Sequence, residues 1–231
     1  MIIFRCFQVR WLAFFLCAGI AMLALAEMVP GDSQPIKKVI TGQRVMALTF
    51  DDGPDLSTTQ ELLKVLRDKD VKATFFILGS QAERYPPLLA AIVAEGHEIG
   101  NHGYSHVFLQ KAGSANFLDD VRRAGNIIAP IAGQPVLFRP PGGGYNDALV
   151  SDLSRLGYTT ILWSIDPRDW EGRPADRTAS IVARRAAPGS IVLLHEGGRA
   201  TPQAVAAIID RLRMDGYSFV TVGELLQLGG K

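Results

Sequence analysis

The chain has little cysteine, and all of it lies near one end. Only Cys6 and Cys17 are present among 231 residues. The sequence beyond them therefore has neither the paired cysteines of a disulfide framework nor a thiol nucleophile, which excludes cysteine-based catalysis there. An internal repeat and a low-complexity tract are also absent, so nothing in the sequence indicates a repeat architecture.

The chain also lacks an excess of one charge. Lys plus Arg number 24 against 23 Asp plus Glu, which gives a formal net charge of +1. Residues 1–26 hold Arg5 and Arg10 and no acidic residue, so the balance without them is 22 minus 23, or −1. No overall basic field is available to attract a polyanion, and nucleic acid is not expected as a partner.

The long apolar run of the chain lies near its N-terminus. It covers 16 residues, from Trp11 to Ala26, after the basic Arg5 and Arg10 and with small residues at its end. This pattern is typical of a secretory signal peptide. Because a spanning helix needs roughly 20 residues, we expect cleavage, with an uncleaved membrane anchor through residues 11–26 as the alternative. We therefore expect a periplasmic or extracellular protein, or one anchored to the outer face of the cytoplasmic membrane.

Residues 27–43, which include Pro30, Gly31 and Pro35, predict a flexible linker ahead of one domain over residues 44–231. In that domain short apolar runs alternate with longer helical patterns, which is typical of β-α units around a parallel sheet. We predict an α/β fold, a single distorted (β/α) barrel with about seven parallel strands. The predicted strands are 45–50, 73–78, 97–100, 136–139, 159–164, 190–194 and 218–220, and the predicted helices are 57–69, 81–95, 114–131, 146–156, 175–187, 201–215 and 222–228.

Two adjacent carboxylates and two histidines form the most informative pattern. Asp51 and Asp52 end the first apolar run, in residues 49–54 (TFDDGP), and His102 and His106 lie four residues apart. Asp and His suit a divalent ion such as zinc, and three protein ligands leave a position open for water. A helical turn over residues 102–106 would place both imidazoles on one face. The alternative is an Asp-Gly-Pro turn and two surface histidines.

Three further fragments contain reactive residues in contexts that packing does not explain. They are residues 138–143 (FRPPGG), residues 163–170 (WSIDPRDW) and residues 191–195 (IVLLH). Each lies at the carboxyl end of a predicted strand, the face that carries the active site in β/α barrels. With these motifs, residues 45–228 closely resemble the polysaccharide deacetylases, the fourth family of carbohydrate esterases, and all five motifs follow the family's order.

The resemblance implies a role for each motif residue. Asp51 is expected to act as general base, with Arg139 holding it ionised, and His195 as the acid for the leaving amine, supported by Asp169. One divalent ion, zinc or alternatively cobalt, nickel or manganese, is expected on three ligands, Asp52, His102 and His106. Substrate contacts are expected from the loop and strand residues Pro141, Gly142, Tyr145, Trp170 and Leu193.

The chain departs from the family at one position. The usual pattern is Arg-Pro-Pro-Tyr-Gly, whereas residues 139–143 read Arg-Pro-Pro-Gly-Gly. Gly142 retains the backbone amide that the resemblance assigns to the oxyanion, but it lacks an aromatic wall for the sugar. Tyr145 is expected to replace that wall in part.

The activity that the resemblance implies is metal-dependent removal of N-acetyl groups from a polysaccharide that contains N-acetylglucosamine. Peptidoglycan, chitin-type oligomers and exopolysaccharide all remain open as the polymer. Two alternatives remain: an esterase acting on O-acetyl groups, as on xylan, and a catalytically silent carbohydrate-binding domain. A binding module has no need of a complete acid, base and metal set, which argues against the last. The oligomeric state is left open.

Overall fold

The structure is a computed structural model that describes residues 34–229. The predicted signal peptide or anchor over residues 1–26 lies outside these residues. Within residues 34–229 no helix is both long and apolar enough to cross a bilayer.

Seven parallel strands form the sheet of this domain, as the sequence predicts. Hydrogen bonding orders them β5-β4-β3-β2-β1-β6, and β7 pairs with the start of β1. The first strand is buried along its whole length, which is typical of a parallel strand covered on both faces. The strands are β1 Val45–Asp51, β2 Thr74–Ile77, β3 Glu98–Asn101, β4 Leu137–Phe138, β5 Thr159–Thr160, β6 Ile191–His195 and β7 Ser218–Phe219.

The sheet curls into a distorted barrel, and the segment after β5 brings its two edges together. Ile165 forms a parallel bridge with Val192 of β6, and the Leu193 amide donates to the Ile165 carbonyl at 2.9 Å. The strand predicted over residues 159–164 is thus short, because beyond Thr160 the backbone turns toward β6. The predicted distorted barrel is confirmed.

Part of the linker predicted over residues 27–43 packs against the sheet in the structure, which describes the chain from residue 34. The Ile36 amide donates to the Thr160 carbonyl at 2.9 Å, and the Ile36 carbonyl accepts from Leu162 at 2.7 Å. Val39 is buried in a hydrophobic cluster. Residues 36–39 therefore belong to the domain, because their apolar side chains and backbone groups find partners at the edge of the sheet.

Helices cover the outside of the barrel. In the first of them Leu62, Leu63 and Leu66 form the buried stripe of an amphipathic helix. The helix predicted over residues 81–95 is two helices, because Pro86 disfavours helical geometry at Tyr85 and starts a new helix. The helices are α1 Thr59–Asp68, α2 Gly79–Arg84, α3 Pro86–Ala94, α4 Leu109–Ala112, α5 Ser114–Ala132, α6 Asp147–Arg155, α7 Ala175–Arg185, α8 Thr201–Met214 and α9 Val222–Gln227. The short α4 was not predicted.

Candidate active site

Three predicted metal ligands come together beyond the carboxyl ends of β1 and β3. The Nε2 atoms of His102 and His106 lie 3.5 and 3.4 Å from Oδ1 of Asp52. One ligand atom from each residue lies within 4.8 Å of the others. Oδ1 of Asp52 is buried and has no hydrogen-bond partner among the described residues. An unpartnered carboxylate oxygen that faces two imidazole nitrogens fits a divalent ion such as zinc.

The charge of Asp52 suits this use. Burial opposes its ionisation, but the electrostatic influence of the nearby imidazoles, first His102 and then His106 and His195, brings the pKa of Asp52 below its ordinary value. The group is therefore a carboxylate at neutral pH, the form that binds a cation.

His102 is oriented from behind. Its Nδ1 lies 2.7 Å from the carbonyl oxygen of Arg139. A carbonyl only accepts, so Nδ1 carries a proton, and in the neutral ring Nε2 is then the nitrogen whose lone pair faces Asp52. Such a support on the far nitrogen fixes the tautomer of a ligating histidine.

The loop between the two histidines is not the helical turn that the i, i+4 spacing predicts. Gly103 and His106 have φ angles of 80° and 56°, so the chain turns in left-handed steps instead. Asp120 of α5 holds this loop by accepting hydrogen bonds from the Tyr104 amide at 2.6 Å and the Ser105 hydroxyl at 2.6 Å. Sequence reasoning missed Asp120, because no local pattern marks an acid whose partners lie 15 and 16 residues away.

Asp51 and Arg139 form a buried ion pair inside the mouth of the barrel. Nη1 of Arg139 donates to Oδ1 of Asp51 at 2.7 Å and to the Thr49 hydroxyl at 2.7 Å. Nη2 donates to the Leu162 carbonyl at 3.0 Å. The guanidinium also lies over the Phe76 ring, 4.0 Å from its centroid. The other carboxylate oxygen of Asp51 lies 3.7 Å from Nε2 of His102, so this carboxylate sits beside the candidate metal ligands.

His195 ends β6 directly across from Asp51 in the strand register. Its Nδ1 lies 2.8 Å from Oδ1 of Asp169, and its backbone amide donates to Oδ2 at 2.9 Å. The Thr201 hydroxyl donates to the same Oδ2 at 2.9 Å. Burial opposes protonation, but the Asp169 hydrogen bond and the charge of Asp51 raise the pKa of His195 above its ordinary value. This histidine is therefore suited to hold a proton near neutral pH.

The residues predicted to contact the substrate differ in how far they are buried. Pro141 is buried, Gly142 is exposed at a φ of 65°, and Leu193 is buried in β6. Trp170 is exposed. Tyr145 is half-buried against the hydrophobic cluster that includes Leu109 and Phe117. The ring that lies against Gly142 is that of Phe108 and not that of Tyr145.

Glu196 is a buried acid beside the site. It is 6% exposed, Oε1 accepts a hydrogen bond from the Thr59 hydroxyl, and Oε2 has no partner among the described residues. A β-carbon at Gly53 would overlap this carboxyl group, so the acid packs directly against the loop that follows Asp52. Burial, only partly offset by Thr59, raises the pKa of Glu196 to about 8.

Comparison with known proteins identifies the family of this chain. The sequence model of the polysaccharide deacetylase family matches residues 38–161. A peptidoglycan-N-acetylglucosamine deacetylase of Bacillus cereus is 40% identical over 195 residues, 82% of this chain and 92% of that protein. A chitooligosaccharide deacetylase of Bradyrhizobium sp. is 38% identical over 68% of this chain and 73% of its own length. The solved structure of the Bc1960 peptidoglycan N-acetylglucosamine deacetylase, in complex with 4-naphthalen-1-yl-N-oxidanyl-benzamide, superposes with a TM-score of 0.81 at 35% identity, over 85% of this chain and 94% of that one. The chain belongs to the polysaccharide deacetylase family.

Proposed function

We propose that this chain is a metal-dependent deacetylase that hydrolyses N-acetyl groups of a polysaccharide containing N-acetylglucosamine. One observation carries the proposal: at a single edge of the barrel, a three-ligand set lies beside a carboxylate held by Arg139 and across from a histidine held by Asp169. These are the groups that amide hydrolysis needs, namely an electrophile site, a base and an acid.

Asp52, His102 and His106 would hold the ion, with zinc as our first choice. When bound, the ion supplies a Lewis acid that polarises the acetyl carbonyl and lowers the pKa of a water molecule. The protein contributes the orientation of His102 through the Arg139 carbonyl and a loop that Asp120 fixes in place. We propose zinc because a nitrogen and oxygen donor set with three protein ligands is typical of catalytic zinc.

Asp51 would take the proton of the attacking water. Nη1 of Arg139 donates a hydrogen bond to this carboxylate, and because the guanidinium is completely buried, the pair holds the carboxylate in one orientation. The other carboxylate oxygen faces His102 and therefore the ligand cluster. A base in this position accepts one proton as the water oxygen attacks the acetyl carbon.

His195 would give a proton to the nitrogen that leaves. An amine is a poor leaving group until it is protonated, and the raised pKa of His195 favours the charged imidazolium that can donate. Asp169 accepts from Nδ1, which leaves the Nε2 proton for the substrate. The backbone amide of Gly142 would face the oxyanion that forms on the acetyl carbonyl, the position in which a fixed donor stabilises the transition state.

The substrate class rests on the relatives. The Bacillus protein is named for peptidoglycan N-acetylglucosamine and the Bradyrhizobium protein for chitooligosaccharide. We therefore propose polymers of N-acetylglucosamine, reached outside the cytoplasm, where peptidoglycan is located. An O-acetyl esterase would use the same residues, and a silent binding domain would use none of the acid and base chemistry.

Acetate release separates these functions. The purified domain, supplied with zinc, is incubated with N-acetylglucosamine oligomers, with peptidoglycan and with acetylated xylan. We expect acetate from an N-acetylated substrate, loss of activity with a chelator, and recovery on adding zinc. Asp51→Asn should lower the rate by at least ~100-fold, the lower range for a positioned general base. Acetate from xylan alone would support the esterase, and no acetate from any substrate would refute catalysis.

A further inference from the structure

A phenylalanine fills the space beside Gly142. A β-carbon added to Gly142 would lie 2.5 Å from Cε1 and 3.0 Å from Cδ1 of Phe108. Real β-carbons do not approach other atoms so closely, so a side chain at position 142 would require the ring of Phe108 to move. The ring therefore occupies the volume in which a side chain on this loop would begin.

Phe108 also lies beside the candidate metal ligands. Its ring centroid is 5.3 Å from that of His106, and the two rings are nearly perpendicular at 83°. Phe108 immediately precedes α4, in extended backbone geometry. The ring is thus placed between the ligand cluster and the loop that supplies the Gly142 amide.

Core packing does not account for this ring. Phe108 is 36% exposed, and it belongs to none of the hydrophobic clusters found in residues 34–229. Only Phe108 and Trp170 are aromatic among the large apolar side chains exposed in this part of the chain. Trp170 lies next to Asp169, the partner of His195, whereas Phe108 lies beside His106. The partner of the acid is thus followed in sequence by one exposed aromatic residue, and the ligand cluster contacts the other.

We propose that Phe108 is a substrate-binding residue that packs against the apolar C–H face of the N-acetylglucosamine unit being deacetylated. The inference rests on the proposed function and adds the residue that determines sugar affinity. Pyranose rings present one face of C–H groups, and carbohydrate and ligand sites use aromatic rings as apolar walls with few polar groups around them. Gly142 is then required because any side chain there would displace the ring.

The first test separates sugar binding from chemistry. Phe108→Ala should raise KM for an N-acetylglucosamine oligomer about tenfold, equivalent to one aromatic contact, with kcat within about twofold. 4-Nitrophenyl acetate has no sugar, so the loss in kcat/KM on this substrate should be at least about fivefold smaller than the loss on the oligomer. Phe108→Tyr and Phe108→Trp retain an aromatic ring and should keep KM near that of the parent. An unchanged KM in Phe108→Ala, or equal losses on both substrates, would overturn the proposal.

A second measurement needs no catalysis. Titration of the oligomer into chelator-treated protein, followed by NMR, should give weaker binding for Phe108→Ala than for the parent and for Phe108→Tyr. If the parent releases no acetate, the proposed function fails, yet this titration still decides whether Phe108 contacts the sugar. Equal affinities in the parent and Phe108→Ala would overturn the inference even if the parent is active.

A double-mutant cycle tests the pairing with Gly142. Gly142→Ala introduces both steric overlap with the ring and strain at a positive φ angle, but only the overlap depends on Phe108. In the parent background Gly142→Ala should raise KM for the oligomer by displacing the ring. In the Phe108→Ala background the same change should alter KM less than twofold. Additive effects would refute the pairing.

Discussion

Arg139→Met is expected to destabilise the protein more than almost any other single change near the site. The guanidinium is fully buried and bridges the end of β4 to β1, although β3 and β2 separate those strands in the sheet. It donates to Asp51, to the Thr49 hydroxyl and to the Leu162 carbonyl at 2.7, 2.7 and 3.0 Å. Methionine is unbranched and flexible enough to fill most of the vacated volume, so the change mainly removes the charge and the donors.

The expected loss of unfolding free energy follows from the groups that Arg139→Met leaves without a partner. Without the guanidinium, the buried carboxylate of Asp51 loses its ion-pair and hydrogen-bond partner, and the Leu162 carbonyl loses its donor. Removing one member of a buried ion pair costs about 3–5 kcal/mol of unfolding free energy, mostly through the charge left behind. Adding Asp51→Asn removes that charge, so the double variant should recover about 2 kcal/mol relative to Arg139→Met alone.

Urea unfolding of the chelator-treated proteins at pH 7, followed by circular dichroism, measures these differences. Arg139→Lys is the matched control, because it keeps a positive charge but loses the planar fork, and it should fall between the parent and Arg139→Met. If the losses from Arg139→Met and Asp51→Asn simply add, the two groups are not energetically coupled, and the reasoning from the buried ion pair is wrong.

Three further predictions concern the ligands, the acid and the buried glutamate. His102→Ala should contain no bound divalent ion in metal analysis. His97→Gln, which changes a buried histidine outside the ligand cluster, should keep the ion. Full metal occupancy in His102→Ala would refute the ligand assignment. His195→Ala should impair amide hydrolysis more than hydrolysis of an aryl acetate, since a phenolate leaves without a proton; equal losses would exclude a role as leaving-group acid. Because the pKa of Glu196 rises from 4.5 to about 8 on folding, the unfolded chain ionises first and stability falls as pH rises between those values. Urea titrations of the chelator-treated proteins measure this effect: the free energy of unfolding of Glu196→Gln, relative to that of the parent, should be about 2 kcal/mol higher at pH 7 than at pH 5. Glu61→Gln, on the exposed face of α1, is the control and should show no such pH dependence. A pH-independent effect of Glu196→Gln would refute the buried acid.

The sequence alone predicts much of this protein, and it does so where the signal is local. The alternation of strand and helix patterns depends on the periodicity of nearby side chains, and all seven strands lie where that periodicity predicts them. The family resemblance rests on motifs at strand ends, such as Asp51 with Asp52 or the FRPPGG fragment after β4. Parallel strands bring those ends to one edge, so the barrel architecture and the candidate ligand set follow from linear patterns.

Only the tertiary structure decides how distant segments meet. The loop over residues 102–106 does not form the predicted helical turn. Asp120, on a helix further along the chain, accepts hydrogen bonds from its backbone amides and holds it in a different conformation. Arg139 reaches Asp51 across the interior of the barrel, and Phe108 rather than Tyr145 lies against Gly142. These contacts join residues that no periodicity relates. Their geometry depends on the curvature of the sheet and the packing of its loops, which single-residue patterns do not encode.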